Sequence, residues 1–166
     1  LLREITAQSV REVGRLARGL RPGTLDDLGF PAAIEMHISE LNRAQVLHVD
    51  LHMNGFSSRE RMPKPVEQHL YRMVQEALTN VVKHARASAV SVVLRRNEGN
   101  VLAIVEDDGA GFDSPDPQRN GGPHDELKLA SIRERASMVN GSISVESVAG
   151  HGTTLYIQVP LPREAS

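Results

Sequence analysis

The chain has 166 residues, of which 40% are hydrophobic and 24% charged, with a net charge of −2 and a pI of 6.4. That composition suits a soluble globular domain with a core of its own, and it lacks the basic excess that a nucleic-acid partner calls for. The absence of cysteine excludes thiol catalysis, disulfides and zinc–thiolate sites, and no apolar run approaches the roughly 18–20 residues that cross a bilayer.

No signal-like start precedes the first helical pattern. The sequence begins at Leu1 in the middle of that pattern, so it is expected to be part of a longer protein. Leu2, Ile5, Val13, Leu16 and Leu20 predict an amphipathic helix over residues 1–20, ended by Arg21-Pro22-Gly23. Thr24 to Phe30 reads as a turn, and Pro31 as the start of a second helix that runs to about Asn42 through Ala33, Ile34, Ile38 and Leu41. Val46–His52 has the apolar content of a strand, with Asn54-Gly55 as the turn after it and residues 56–65 as a loop.

A long helix is expected from Val66 to Ala85. Ala89–Arg96 and Val101–Asp107 read as a hairpin closed by Asn97-Glu98-Gly99-Asn100. Phe112 to Glu126, rich in Pro and Gly, reads as irregular, and Leu127–Asn140 as a helix stopped by Gly141. Ser142–Ser147 and Thr153–Val159 read as two more strands around a turn at Ala149–Gly152. The order predicts an α+β fold, a two-layer sandwich with a sheet of about five strands and helices on one face.

Three stretches stand out chemically. In Glu76-Ala-Leu-Thr-Asn80-Val-Val-Lys83-His84-Ala85, helical spacing puts Glu76, Asn80, Lys83 and His84 on one stripe. Asn supplies a neutral oxygen ligand, Glu a proton acceptor and Lys a charge for phosphate; a solvated helix face is the plainer reading. Glu106-Asp107-Asp108-Gly109-Ala110-Gly111 follows a strand, where Asp107 suits an exocyclic amine and the glycines admit close backbone approach. A simple Asp-Gly turn is the alternative there. Gly150-His151-Gly152-Thr153 is likewise either a hairpin turn or a ligand contact through Thr153.

These stretches, in this order, resemble the ATP-binding domain shared by gyrase, histidine kinases and MutL. Leu20–Phe30, Glu76–Ala85 and Ile132-Arg-Glu-Arg-Ala136 are similar to the nitrate-sensor-like branch of bacterial sensor histidine kinases, and the similarity covers nearly the whole chain. The resemblance implies a Bergerat-type fold with residues 1–22 as the tail of a dimerisation and phosphoacceptor helix. Residues 23–166 would be the catalytic domain, with a lid over about 113–128. It implies ATP and Mg²⁺ as ligands, with Asn80 coordinating Mg²⁺, Glu76 catalytic, and Lys83 on the phosphates with His84 nearby. Asp107 would read the adenine amine supported by Thr153, and Gly109 and Gly111 would let the backbone pass close to the nucleotide. The implied partners are the protein's own dimerisation domain, in a homodimer, and a response regulator. The implied location is cytoplasmic, alone or as the cytoplasmic part of a membrane-bound sensor, with no direct membrane contact by this segment.

Two departures from the pattern matter. Family members carry Gly-x-Gly-Leu before the Ile-Arg-Glu-Arg helix, where this chain has Glu126-Leu127-Lys128-Leu129. Lys128 replaces backbone approach with charge, while Glu126 repels phosphate, so weaker ATP binding or a rearranged lid is expected. No histidine sits on a long amphipathic acceptor helix. His124-Asp125 falls in the lid, and His37, His48, His52, His69 and His151 read as packing or surface residues. The rival functions are a degenerate nucleotide-binding interaction module and a serine kinase of the anti-sigma type.

Overall fold

The computed structural model describes residues 22–57, 59–111 and 123–162. Its elements run α1 (Pro22–Arg43), β1 (His48–Asn54), α2 (Lys64–Asn80), a π-helical turn (Val81–Ala85), β2 (Ala89–Arg96), β3 (Asn100–Asp107), α3 (Pro123–Met138), β4 (Ser142–Val148) and β5 (Gly152–Pro160). The five strands form one mixed sheet in the order β1-β2-β3-β5-β4, with β1 parallel to β2 and the remaining pairs antiparallel. The expected α+β sandwich is the fold observed. The expected tail over 1–22 lies outside the described residues except for Pro22.

Strand alternation makes the two layers. The register aligns Val49, Val90, Val105 and Leu155 with their neighbours Val92, Leu94, Ala103, Ile157 and Val159 on one face, and all of these are buried. The alternate residues Asp50, Arg95, Glu106, Gln158 and Glu146 are exposed. Helices cover the buried face through Phe30, Ile34 and Leu41 of α1, Leu70, Met73 and Leu78 of α2, and Ile132 of α3, in one continuous core. The free edge of β1 is partly closed by a side chain: the Asn42 amide donates to Val49 O at 2.9 Å and accepts from Val49 N at 2.8 Å.

Several boundaries differ from expectation, each for a local reason. Pro22 opens a helix that takes in Thr24 to Leu28, part of the stretch expected to be a turn, because proline at the first helical position lacks only an N–H that would be unbonded there. The break falls at Gly29, whose φ of 84° and ψ of 173° no helix accommodates. β1 lies two residues later than expected, where pairing with Ala89–Arg95 fixes it. The α-helical ladder of α2 stops at Asn80 and gives way to the π turn. Helix α3 begins at Pro123, inside the stretch expected to be irregular and inside the expected lid. The rest of that lid, and the side chains of Glu126 and Lys128 with it, lie outside the described residues.

The Gly29 break leaves carbonyls of the preceding turn without helical partners. Arg61 takes them over: its guanidinium donates to Leu25 O and Asp26 O, both at 3.2 Å. The same group grips Glu67, with Nε 3.0 Å from Oε1 and Nη2 2.6 Å from Oε2. Glu67 is 2% exposed and accepts also from the Met62 N–H at 3.3 Å. One arginine thus fastens the start of α1 to the first turn of α2. Arg61→Met should cost about 3 kcal/mol, because it strands a buried carboxylate. Lys64→Met, which removes only an exposed ion pair with Asp26, should cost under about 0.5 kcal/mol; urea midpoints of the two variants check the difference.

His37 is the other buried polar group on this interface, 1% exposed and edge-on to Tyr71 with ring centroids 6.2 Å apart. Its Nδ1 has no hydrogen-bond partner, and burial holds its pKa down at about 4 against an ordinary 6.5. Between those values the unfolded chain binds a proton that the folded chain refuses. The stability is therefore complete above pH 6.5 and falls as the pH drops through 4, by up to about 3 kcal/mol. His37→Leu should remove that component, so that urea unfolding at pH 7.5 and pH 5 shows a smaller loss in the variant than in the parent chain.

Candidate nucleotide site

A cavity of about 240 Å³ opens between the helix layer and one end of the sheet. Its walls are mainly apolar, built by Ala77, Val81 and Ala85 from α2 and its π turn, Leu129 and Ile132 from α3, and Val105, Val145 and Leu155 from the sheet. Asn80, His84, Asp107, Gly111 and Thr153 supply its polar features.

Register explains the sheet's contribution. Asp107 pairs with Thr153 and Thr153 with Ser147, so the three side chains form a row at the end of the inner face. Asp107 is 8% exposed, and its Oδ1 accepts from the Gly109 N–H at 2.8 Å. Burial pushes its pKa up, against the opposing backbone hydrogen bonds from Gly109 and Thr153. A desolvated carboxylate gains from a further donor reaching it from the cavity. Ser147 Oγ lies 2.8 Å from Thr153 Oγ1 and donates to Gly152 O at 3.1 Å. With that hydrogen spent, Thr153 donates to Ser147 and keeps lone pairs for a ligand. Sequence reading missed Ser147, because only the β4–β5 register reveals it.

Asp108, one residue on, points the other way. Its Oδ1 accepts from Ser88 N at 2.7 Å and Ala89 N at 3.0 Å, and these backbone bonds hold its pKa below the usual carboxylate range. It ties the end of β3 to the start of β2. Neighbouring acids thus divide between the cavity wall and a structural tie because successive residues along an extended chain face opposite sides.

The π turn reshapes the expected stripe. Its wider i→i+5 turn advances each residue by a smaller angle than an α-helix does. Asn80 and His84 face the cavity, while Lys83 is exposed and is not among the lining residues. Glu76 does not line the cavity either. It reaches α3, where the Ser131 hydroxyl donates to its Oε1 and Arg135 Nε lies 3.8 Å from its Oε2. The four side chains expected on one face therefore divide between the cavity, solvent and a neighbouring helix. The Lys128 side chain lies outside the described residues.

Gly109 and Gly111 sit where backbones converge. The Ala110 N–H donates to Ala85 O at 2.8 Å, and a Cβ on Gly109 would lie 2.2 Å from that same oxygen. A Cβ on Gly111 would lie 2.2 Å from Val148 O. Both glycines are thus required by the apo fold, before any nucleotide approaches; of the two, only Gly111 lines the cavity. Gly109→Ala should lower stability by about 2–3 kcal/mol, as overpacking against a fixed backbone does. Thermal unfolding without nucleotide reads this directly, since a residue needed only for ligand approach would leave the apo protein unchanged.

Comparison with known proteins agrees with this geometry. Residues 66–163 match the family model described as histidine kinase-, DNA gyrase B-, and HSP90-like ATPase. The oxygen sensor histidine kinase NreB of Staphylococcus carnosus (strain TM300) is 36% identical over 157 residues, covering 95% of this chain and 44% of that protein. The signal transduction histidine-protein kinase/phosphatase DegS of Brevibacillus brevis is 32% identical over 163 residues, 98% of this chain and 40% of that protein. The chain thus spans less than half the length of these two relatives. Among solved structures, the histidine kinase domain of the Erythrobacter litoralis EL346 blue-light activated histidine kinase superposes with a TM-score of 0.62 at 20% identity, covering 94% of this chain and 75% of that one. The mycobacterial sensor histidine kinase MprB gives 0.54 at 18% identity, covering 80% and 95%. At such identities the structural likeness speaks for the fold alone. With the family model matching more than half of its length, the chain belongs to the histidine kinase-, DNA gyrase B- and HSP90-like ATPases.

Proposed function

We propose that the chain is the catalytic domain of a bacterial two-component sensor histidine kinase. It binds Mg-ATP in the cavity and passes the γ-phosphoryl group to a histidine on a separate dimerisation domain, in a homodimer, for relay to a response regulator. The observation that carries this reading is the meeting of Asp107, from the sheet, and Asn80, from the helix layer, in one apolar cavity. Apolar walls suit a purine ring, and the desolvated Asp107 carboxylate suits its exocyclic amine, with Thr153 beside it. The similarity to two proteins named as histidine kinases supports the same reading.

The donor set fits Mg²⁺ bound together with phosphate. Among the described residues no three His, Asp or Glu side chains form a cation site, whereas Mg²⁺ keeps several waters and takes few protein ligands beside the phosphates. Asn80 would hold it through its amide oxygen, and the bound ion supplies charge neutralisation on the phosphates. Transfer breaks the bond between the γ-phosphorus and the bridging oxygen of ATP, releases ADP and forms a bond to an imidazole nitrogen. Glu76 would accept the N–H of that imidazole. His84 would border the phosphate end, and Lys83, exposed on the π turn, would reach it by its flexible stem. Both would act chiefly by positioning and charge, which is most of what phosphoryl transfer requires. No described helix is long and apolar enough to cross a membrane, and a cytoplasmic location belongs to the proposal because ATP is its substrate.

Calorimetric titration of ATP tests the site. Asp107→Ala should weaken binding by about 30-fold or more, equivalent to about 2 kcal/mol for a lost buried hydrogen bond. Asn80→Ala should leave an affinity that no longer responds to Mg²⁺. An acid-labile label on a supplied dimerisation domain completes the case. Absence of binding at millimolar ATP, or a label stable to acid, would refute it.

A further inference from the structure

The contacts of Glu76 point to Ser131, which no motif singled out, and to Arg135, which lies in a family-like stretch but was given no role there. Helix α3 brings Ser131 and Arg135 to this one carboxylate, the hydroxyl donating to Oε1 and the guanidinium Nε standing 3.8 Å from Oε2. Ser131 and Arg135 are one helical turn apart and share a stripe. The adjacent stripe, Leu129 and Ile132, forms part of the cavity wall. The same helix therefore shapes the nucleotide cavity and holds the carboxylate beside it. Arg135 Nε is shielded from solvent and has no hydrogen-bond partner; it forms a 3.8 Å ion pair with the Glu76 carboxylate.

Stability alone is a weak reason for this arrangement. The Glu76 and Arg135 side chains are 30% and 39% exposed, and ion pairs so exposed contribute little to folding. A carboxylate that must meet an incoming group, in contrast, gains much from a fixed rotamer.

We propose that Ser131 and Arg135 are positioning residues that hold the Glu76 carboxylate in one orientation toward the acceptor imidazole. The inference rests on the reading of Glu76 given under Proposed function. Ser131 fixes one oxygen by a directed hydrogen bond. Arg135 keeps a positive charge beside the other without capping it, which leaves Oε2 available to the N–H of the acceptor.

The test uses the full-length kinase, with its acceptor histidine, in single-turnover phosphorylation at saturating ATP. Arg135→Met and Ser131→Ala should each slow transfer by about 10-fold or more, with nucleotide Kd changed by less than about two-fold. Arg135→Lys, which keeps the charge, should recover most of the rate. In a Glu76→Gln background, Arg135→Met should cause little further loss, because both substitutions remove the same contribution. A slow Glu76→Gln variant beside an Arg135→Met variant at the parent rate would overturn the positioning role and leave Glu76 intact as the reacting group. Independent, multiplicative losses in the double variant would overturn it too. A Glu76→Gln variant at the parent rate would overturn the reading of Glu76 itself, and this inference with it.

Discussion

The carbonyl of Ala85 is the point on which the site depends. It ends the π turn and accepts the N–H of Ala110 from the loop after β3 at 2.8 Å. It also occupies the place that a side chain on Gly109 would need. Through this one oxygen the end of α2 is fixed against the end of β3. Asn80 and His84 are then held across the cavity from Asp107. The loop is anchored on its other side as well, where Gly150 N donates to Ala110 O at 2.6 Å and brings the β4–β5 turn alongside. Three segments distant in sequence are thus fastened backbone to backbone, an arrangement with little freedom to drift. The side chains that face the ligand inherit that rigidity.

Charge inside the molecule is handled in three ways, and each suits a different task. Glu67 is buried and fully paired, so it serves as a fastener between α1 and α2. His37 is buried and left neutral, so it packs as an aromatic ring at the cost of stability in acid. Asp107 is buried with its Oδ1 bound by the Gly109 N–H. It is the only one of the three that lines the cavity, and there the incomplete compensation has a use. A carboxylate raised in pKa by burial selects for a neutral donor, such as an amine on a heterocycle, over the many cations that would meet it on a surface.

Most of the fold was legible because alternation and turn chemistry are local. The β2–β3 hairpin has the bounds that period and turn residues imply, apart from the added Asn100. What the sequence hid was geometry that depends on distant partners. Nothing in Val81–Ala85 announces a π turn, which is followed by Arg86 in the left-handed region and whose last carbonyl, Ala85 O, accepts from Ala110. That turn displaced Lys83 and broke the expected stripe, while Asn80 and His84 kept their place. Gly29 breaks α1, and Arg61, thirty-odd residues away, caps the carbonyls that the break exposes. Ser147 and Ser131 were invisible for the same reason, and Arg135, though inside a family-like stretch, gave no sign of its link to Glu76. They are ordinary residues until register or helix packing sets them beside Thr153 and Glu76.

The distribution of polar groups also says how ligand and metal depend on each other under the proposed reading. Aspartate, threonine and asparagine reach the cavity singly, from β3, β5 and α2, and no carboxylate cluster accompanies them among the described residues. A lone amide oxygen is a poor trap for a free divalent cation, which stays better solvated by water. The same oxygen becomes an effective ligand once phosphates already hold the ion, since only one water then has to be exchanged. Under that reading the protein would recognise the base with its own desolvated carboxylate and leave most of the metal's coordination to the nucleotide, so that base and metal would be coupled through the ligand. Glu76, on α2 and held by Ser131 and Arg135 of α3 outside the cavity, would stay clear of the metal and face the acceptor.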